Sequence, residues 1–188
     1  MPFDYKSATP AQLFEEYDRI SKETGCHQYG ARKELLHLPG VLQHDEELVA
    51  FTSGFLDTSI WLVALTERRI VCLYKSYYAG LKQISIDLDG IESVSCELRL
   101  LNASMCILLP HSRWTINKVP RASVVPFTCL VRARVEERRP RSDRFDPLSN
   151  AGRLVTIGES VAFNEETPSH QEALAILTKR RDHLALRR

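Results

Sequence analysis

No stretch of this 188-residue chain holds 18 consecutive apolar residues. The longest, such as Ile60 to Leu65 and Ile70 to Tyr74, fall far short of the roughly 20 that cross a bilayer, so no membrane-spanning helix is expected. The start, Met-Pro-Phe-Asp-Tyr-Lys, lacks the basic and then apolar regions of a secretory signal, and a cytoplasmic location follows as the expectation. Cysteine is sparse and odd in number. The five, at 26, 72, 96, 106 and 129, suit a reducing compartment and not a paired disulfide framework, and those at 72, 96, 106 and 129 sit in apolar runs as small buried hydrophobes. Only eight glycines occur, and none builds a phosphate loop, a dinucleotide fingerprint or a G-x-S-x-G elbow. The local group Cys26, His27, His37 and His44 has no metal-ligand spacing. Acidic residues come as adjacent pairs, Glu15-Glu16, Glu46-Glu47 and Glu165-Glu166, whose side chains point apart; they read as solvated faces, not as acid and base partners. Catalytic residues, cofactor and metal are therefore not expected. A convergent polar site would need distant groups such as His111 and Arg113 beside Trp114.

What is present is the composition of an ordinary globular chain: 44% hydrophobic, 26% charged, mean hydropathy -0.22. The length allows one domain plus about 40 further residues. A net charge of +1 hides an acidic front, with 5 Lys and Arg against 9 Asp and Glu in residues 1 to 50, and a basic back, with 13 against 9 in residues 121 to 188. The basic end has two clusters: Arg132, Arg134, Arg138, Arg139, Arg141 and Arg144, then Lys179, Arg180, Arg181, Arg187 and Arg188.

The periodicity divides the chain. Thr9 caps a first helix with Pro10 at its first position and Gln12 completing a capping box, and Gly25 stops it. A second helix is expected from about Tyr29 to His37, ended by Pro39-Gly40. Seven short strand-like runs follow: Leu48 to Ser53, broken by Gly54 and Asp57, then Ile60 to Leu65, Arg69 to Lys75, Leu81 to Leu88, Ile91 to Leu98, Met105 to Leu109 and Arg113 to Lys118. Connections this short leave no room for crossover helices, so the sheet is antiparallel. Asp89-Gly90 reads as a two-residue hairpin turn with glycine at positive φ. From Ser123, expected as a cap, to Arg139 a helix carries Val124, Phe127, Val131 and Val135 on one face, with Pro126 in its first turn. That stripe has to cover the open end of the strand set. The division is thus an N-terminal helical extension over 1–37, a β body with its helix over 38–139, a linker or surface loop over 140–168 containing a short strand at Arg153 to Ile157, and a basic helix over 169–188.

Three stretches carry a resemblance: Leu38-Pro39-Gly40-Val41-Leu42 with Asp45-Glu46-Glu47-Leu48-Val49; Trp61-Leu62-Val63-Ala64-Leu65-Thr66-Glu67-Arg68-Arg69-Ile70-Val71; and Ile86-Asp87-Leu88-Asp89-Gly90-Ile91-Glu92-Ser93-Val94. In this order they resemble the bacterial pleckstrin-homology-like domains of the YokE-like PH domain family. The resemblance implies an α+β chain whose body is a PH-like seven-stranded antiparallel β-barrel or sandwich, capped by a C-terminal α-helix. An arginine in the Thr66-to-Arg69 turn is expected to lay its stem on apolar surface and keep its head in water.

Phosphoinositide headgroups, the ligands usually associated with such folds, need Lys and Arg on the first two strands. Leu48 to Leu65 contains neither, and Asp57 would repel phosphate. Phe55, Leu56 and Trp61 are instead the candidate protein-contact residues, within a favoured surface at the loop Gly54 to Ser59, together with the last helix. The reading that follows is a non-catalytic interaction module for protein partners or self-assembly. Its alternative is peripheral binding to anionic membrane or nucleic acid through Arg138, Arg139, Arg141, Lys179, Arg180 and Arg181.

Overall fold

The computed structural model describes residues 3–139, apart from Tyr77 and Leu101. Two helices, α1 (Pro10–Thr24) and α2 (Arg32–Val41), precede seven strands: β1 (Leu48–Leu56), β2 (Ser59–Thr66), β3 (Arg69–Ser76), β4 (Gly80–Asp87), β5 (Ser93–Leu98), β6 (Ala103–Leu109) and β7 (Ser112–Val119). Helix α3 (Arg121–Arg138) closes the series. All strand pairs are antiparallel, in the order β4-β3-β2-β1-β7-β6-β5. The sheet is not closed, because β4 and β5 are its two edges, so "barrel" describes it only loosely.

The capping box at Thr9 forms as expected: Gln12 N–H donates to Thr9 Oγ1 at 3.4 Å, and Thr9 N–H to Gln12 Oε1 at 2.9 Å. Gly25 ends α1 in the left-handed region at φ 67. Helix α2, however, starts later and runs through Pro39-Gly40 to Val41. A proline in the final turn removes one hydrogen bond, but the Leu42 amide still reaches Leu38 O at 3.0 Å and holds the end.

Helix α3 begins two residues before Ser123, with Pro120 at its cap position, and Pro126 lies inside it. Ser123 does not cap. Its Oγ accepts from His27 N–H at 2.8 Å and donates to His27 O at 3.1 Å, tying α3 to the segment between α1 and α2. Thr52 Oγ1 also donates to His27 O, at 3.1 Å, and Ser53 Oγ bonds both the N–H and the C=O of Tyr29. Val124, Phe127, Val131 and Val135 are all buried, and α3 packs on β5, β1 and β6.

Two apolar clusters sandwich the first strands. On one face Leu48, Phe51, Leu62, Ala64, Val71 and Leu73 meet α1 and α2; on the other Val49, Val63, Leu65, Ile70 and Cys72 meet the helix α3 core. Burial on both faces is why β1 to β3 read as continuous apolar runs and not as an alternation. Tyr17 is shared between layers: its ring lies edge-on to Phe51, 5.8 Å between centroids, and its hydroxyl donates to Leu35 O at 3.0 Å.

Two glycine expectations change. Gly54 does not break β1; it lies within the strand where β1 crosses β7, and a Cβ there would stand 2.4 Å from Ile116 Cγ2 and 3.0 Å from Asn117 O. Its role is close approach, not a turn. Gly90 belongs to a single 3-10 turn, Leu88–Gly90, and is not among the glycines of positive φ. The strands on either side of it are opposite edges of the sheet, so no hairpin exists there to demand that geometry.

Candidate functional site

The most polar buried arrangement joins Glu46, just before β1, to the β2–β3 turn. Arg69 donates from Nε to Glu46 Oε1 and from Nη2 to Oε2, both at 2.8 Å. Thr66 Oγ1 lies 2.8 Å from Glu46 Oε1 and accepts the Arg69 amide at 3.0 Å, while the Gln43 amide donates to Glu46 Oε2 at 2.8 Å. Remaining guanidinium protons go to Ser85 Oγ at 3.1 Å and Val41 O at 3.2 Å. The Glu46 side chain is fully buried and that of Arg69 is 11% exposed. Burial alone would raise the Glu46 carboxyl, but the hydrogen bonds from Arg69, the Gln43 amide and Thr66 outweigh it and hold the group below the ordinary carboxylate value. Two expectations are corrected here. Of the two arginines in that turn Arg68 is exposed, whereas the head of Arg69 is dry because the Glu46 carboxylate accepts its hydrogen bonds, and the Glu46-Glu47 pair is not a solvated face, since Glu46 is buried. Glu16 is likewise buried, beside Arg19, whereas Glu165-Glu166 lies outside the described residues. Each of these oxygens and nitrogens has a partner within the fold, so the network braces the α2–β1 junction against β3 and β4.

The three apolar contact candidates separate. Leu56 and Trp61 are buried in the helix α3 core, Trp61 packing on Tyr74 at 5.4 Å between ring centroids. Alternation along β1 and β2 sends them inward. Phe55 faces the other way, half-buried, with Lys118 Nζ 4.7 Å from its ring centroid. Lys118 reaches it from the left-handed region, at φ 50, in the bulge where β7 shifts register against β6. Asp57 turns the hairpin at φ 55 and is exposed.

Of the arginine candidates, Arg138 forms a two-pronged bond to Asp89 at 2.6 and 2.8 Å and also reaches Glu67 O at 3.3 Å. That bond holds the Asp89 carboxyl below its ordinary value. Arg139 donates to Glu92 O at 2.8 Å and to Glu136 at 3.4 Å. Arg141, Lys179, Arg180 and Arg181 lie outside the described residues, as do the linker and the last helix.

Other polar groups do not converge. Arg113 and Trp114 are neighbours on β7 and so face opposite sides of the sheet; Arg113 Nε donates to Cys106 Sγ at 2.9 Å on the outer one. Burial pushes the Cys26 and Cys72 thiols up to about 12. Cys96, Cys106 and Cys129 are half-buried, which departs from the expectation that all lie in the core. Among the described residues no cluster of three or more His, Cys, Asp or Glu is placed to hold a metal, and no helix is long and apolar enough to cross a membrane.

Sequence reasoning missed where the large apolar side chains meet water. Tyr78 is 99% exposed in the β3–β4 turn, Leu100 87% between β5 and β6, and Tyr29 84% before α2. It also missed the unequal edges of the sheet. Along β5, Arg132 Nε donates to Val94 O at 2.6 Å and Arg139 covers Glu92 O, whereas β4 is exposed from Leu81 to Gln83. A signal existed: between Arg69 and Asp87 the sequence has Lys75 and Lys82 but no acidic residue.

Residues 42–133 match the family described as bacterial PH domain. Among solved structures, the chain is similar to a pleckstrin homology domain from Shewanella amazonensis SB2B, with 18% identity, a TM-score of 0.34, and coverage of 46% of this chain and 80% of that one. It is also similar to a DUF1696 family protein with a pleckstrin-homology domain from Shewanella loihica PV-4, with 11% identity, a TM-score of 0.37, and coverage of 64% and 91%. No curated protein matches the chain. The matched segment takes in all seven strands and most of α3, and over residues 42–133 the chain is similar to the bacterial PH domain family.

Proposed function

We propose that the chain is a non-catalytic interaction module, a PH scaffold that makes protein–protein contacts or assembles with itself. The observation that carries this reading is the placement of Tyr29, Tyr78 and Leu100, three large apolar side chains left in water on loops that a rigid sheet positions. Exposed apolar groups on scaffolded loops are the usual anchors of protein interfaces. Phe55, under Lys118, is the candidate on the β1–β2 hairpin that remains accessible; Leu56 and Trp61 are buried on the opposite face. The buried Glu46–Arg69 pair supports the same reading, since the charged groups most sheltered from water are spent on rigidity. Headgroup binding at β1 and β2 lacks support because that surface presents Asp57 and no cation of its own. Size-exclusion chromatography with light scattering, together with affinity capture from the protein's own cells, tests the proposal. A defined assembly or a partner lost on Tyr78→Ser or Leu100→Ser is expected, and a strict monomer with no partner and measurable turnover would overturn it.

A further inference from the structure

Helix α3 lies antiparallel along the edge strand β5, and three arginines fix how the two run together. Arg139 Nη2 donates to Glu92 O at 2.8 Å, Arg132 Nε to Val94 O at 2.6 Å, and Arg121 Nη1 to Arg99 O and Leu100 O, both at 3.2 Å. The rises agree: from Arg132 back to Arg121 the helix covers about 16 Å, and from Val94 on to Arg99 the strand covers about 16 Å. Cys129 stands one turn before Arg132, about 4.5 Å along the helix, and Cys96 two residues beyond Val94, about 6.6 Å along the strand. The two cysteines therefore come to within about 2 Å of the same level.

Their side chains share a face as well as a level. Cys96 sits opposite Met105 in the β5–β6 register and two residues from Val94; both of these are buried, so Cys96 points to the side that α3 covers. Cys96 and Cys129 both pack at the margin of the core cluster that holds Val94 and Val131, each half-buried and so within reach of a small solute. Burial raises the Cys129 thiol, the Arg132 guanidinium offsets part of that, and the neighbouring Cys96 adds to it. The other cysteines do not compete. Cys26 and Cys72 are buried, with thiols pushed up to about 12, and Cys106 follows Met105 on β6 and so faces the opposite side, under Arg113. We propose that Cys96 and Cys129 are a redox-responsive pair that hydrogen peroxide joins as a disulfide, stapling α3 to the edge strand β5. One thiolate attacks a peroxide oxygen and becomes a sulfenic acid, the hydroxide released taking up that thiol's proton as water. The second thiolate displaces the sulfenic hydroxyl, which leaves as water with the second thiol's proton. Two thiols and one peroxide thus become one disulfide and two waters, and a dithiol reverses the bond. The bond makes covalent the contact that shields this edge of the sheet.

The test uses the full chain, reduced and then treated with an equimolar amount of hydrogen peroxide. Peptide mapping after alkylation is expected to find Cys96 joined to Cys129 within one chain, with two thiols lost and both restored by dithiothreitol. Because the staple closes a loop of roughly 30 residues, the thermal midpoint of the oxidised chain is expected to rise by at least about 5 °C. Cys96→Ser and Cys129→Ser each abolish both changes, whereas Cys106→Ser keeps them. The inference is overturned by a bridge between other cysteines, by oxidation that stops at single sulfurs, by bridges only between chains, or by thiols left untouched. It is equally overturned if the same bridge forms as fast in the chemically unfolded chain, or if the midpoint does not rise, since either result means that the fold does not bring the two sulfurs together. Mapping of the unsubstituted chain decides the matter even where a serine variant fails to fold.

Discussion

The two halves of the sheet are built on different terms. Strands β1 to β3 are buried on both faces, between α1 and α2 on one side and the helix α3 core on the other. Strands β5 to β7 have one buried face: in β6, Met105 and Ile107 are covered, while Cys106 is half-buried and Leu108 exposed on the opposite side. In the first half stability comes from apolar area and one desolvated ion pair. In the second it comes from the inner face alone and from α3, whose arginines also shield the β5 edge. Tolerance to change follows from that difference.

The sharpest test of it is the Glu46–Arg69 pair. Arg69→Met leaves a buried carboxylate unpaired and is expected to cost about 3–5 kcal/mol at neutral pH by denaturant unfolding, while Glu46→Gln with Arg69→Met restores much of the loss. Because the Glu46 carboxyl titrates lower in the folded than in the unfolded chain, its contribution is present above the ordinary carboxylate value and is lost as pH falls through the folded one. In Arg69→Met burial raises the unpaired Glu46 carboxyl, so the deficit starts to shrink as pH falls through that raised value and keeps shrinking as pH falls on through the lowered value of the parent. An unchanged deficit in acid would show that packing and not charge is at stake.

Phe51→Ala, on the face covered by α1, is expected to cost about 3–4 kcal/mol by the same measurement. A loss under 1 kcal/mol, well below the range for a buried aromatic, would mean the N-terminal helices are a loose cover. At the junction of the halves, Gly54→Ala is expected to cost about 1–3 kcal/mol, since Ile116 has to move and the Asn117 carbonyl leaves little room. Thermal unfolding would register it, and a neutral result would indicate that the halves slide apart without penalty. Ser123→Ala removes both bonds to His27 and should cost about 1–2 kcal/mol. Smallest is Leu108→Ala on the exposed face of β6, expected within about 0.5 kcal/mol of the parent. A larger loss would point to a cover over that face.

Much of the body is legible in the chain. The Thr9 capping box, the seven strand runs and the stripe Val124-Phe127-Val131-Val135 depend on neighbours within a few residues, and periodicity reports such neighbours well. The PH-like motifs run along the chain in the same order as those strands. Legibility fails where a residue answers to a distant one. Pro39 and Pro126 sit inside helices whose neighbours hold them. Serine at position 123 has the local chemistry of a cap, but His27, 96 residues away in sequence, claims its hydroxyl. At the candidate contact surface, alternation could have sent Leu56 and Trp61 inward, yet no local feature says which face of β1 and β2 is covered, because both are.

By itself the sequence determined where the chain turns, caps and alternates, since those choices are made by φ preferences and side-chain spacing over one or two turns of backbone. The tertiary structure alone decided which polar groups would be dry and which edge would stay open. Glu46 and Arg69, 23 residues apart, become a desolvated pair only when α2, β1 and β3 converge. Gly54 becomes obligatory only when β7 crosses it. And among the described residues the edge of β4 is unpaired because the helix that shields an edge lies against β5. Burial and edge pairing belong to the whole assembly of strands, and no window of residues contains them.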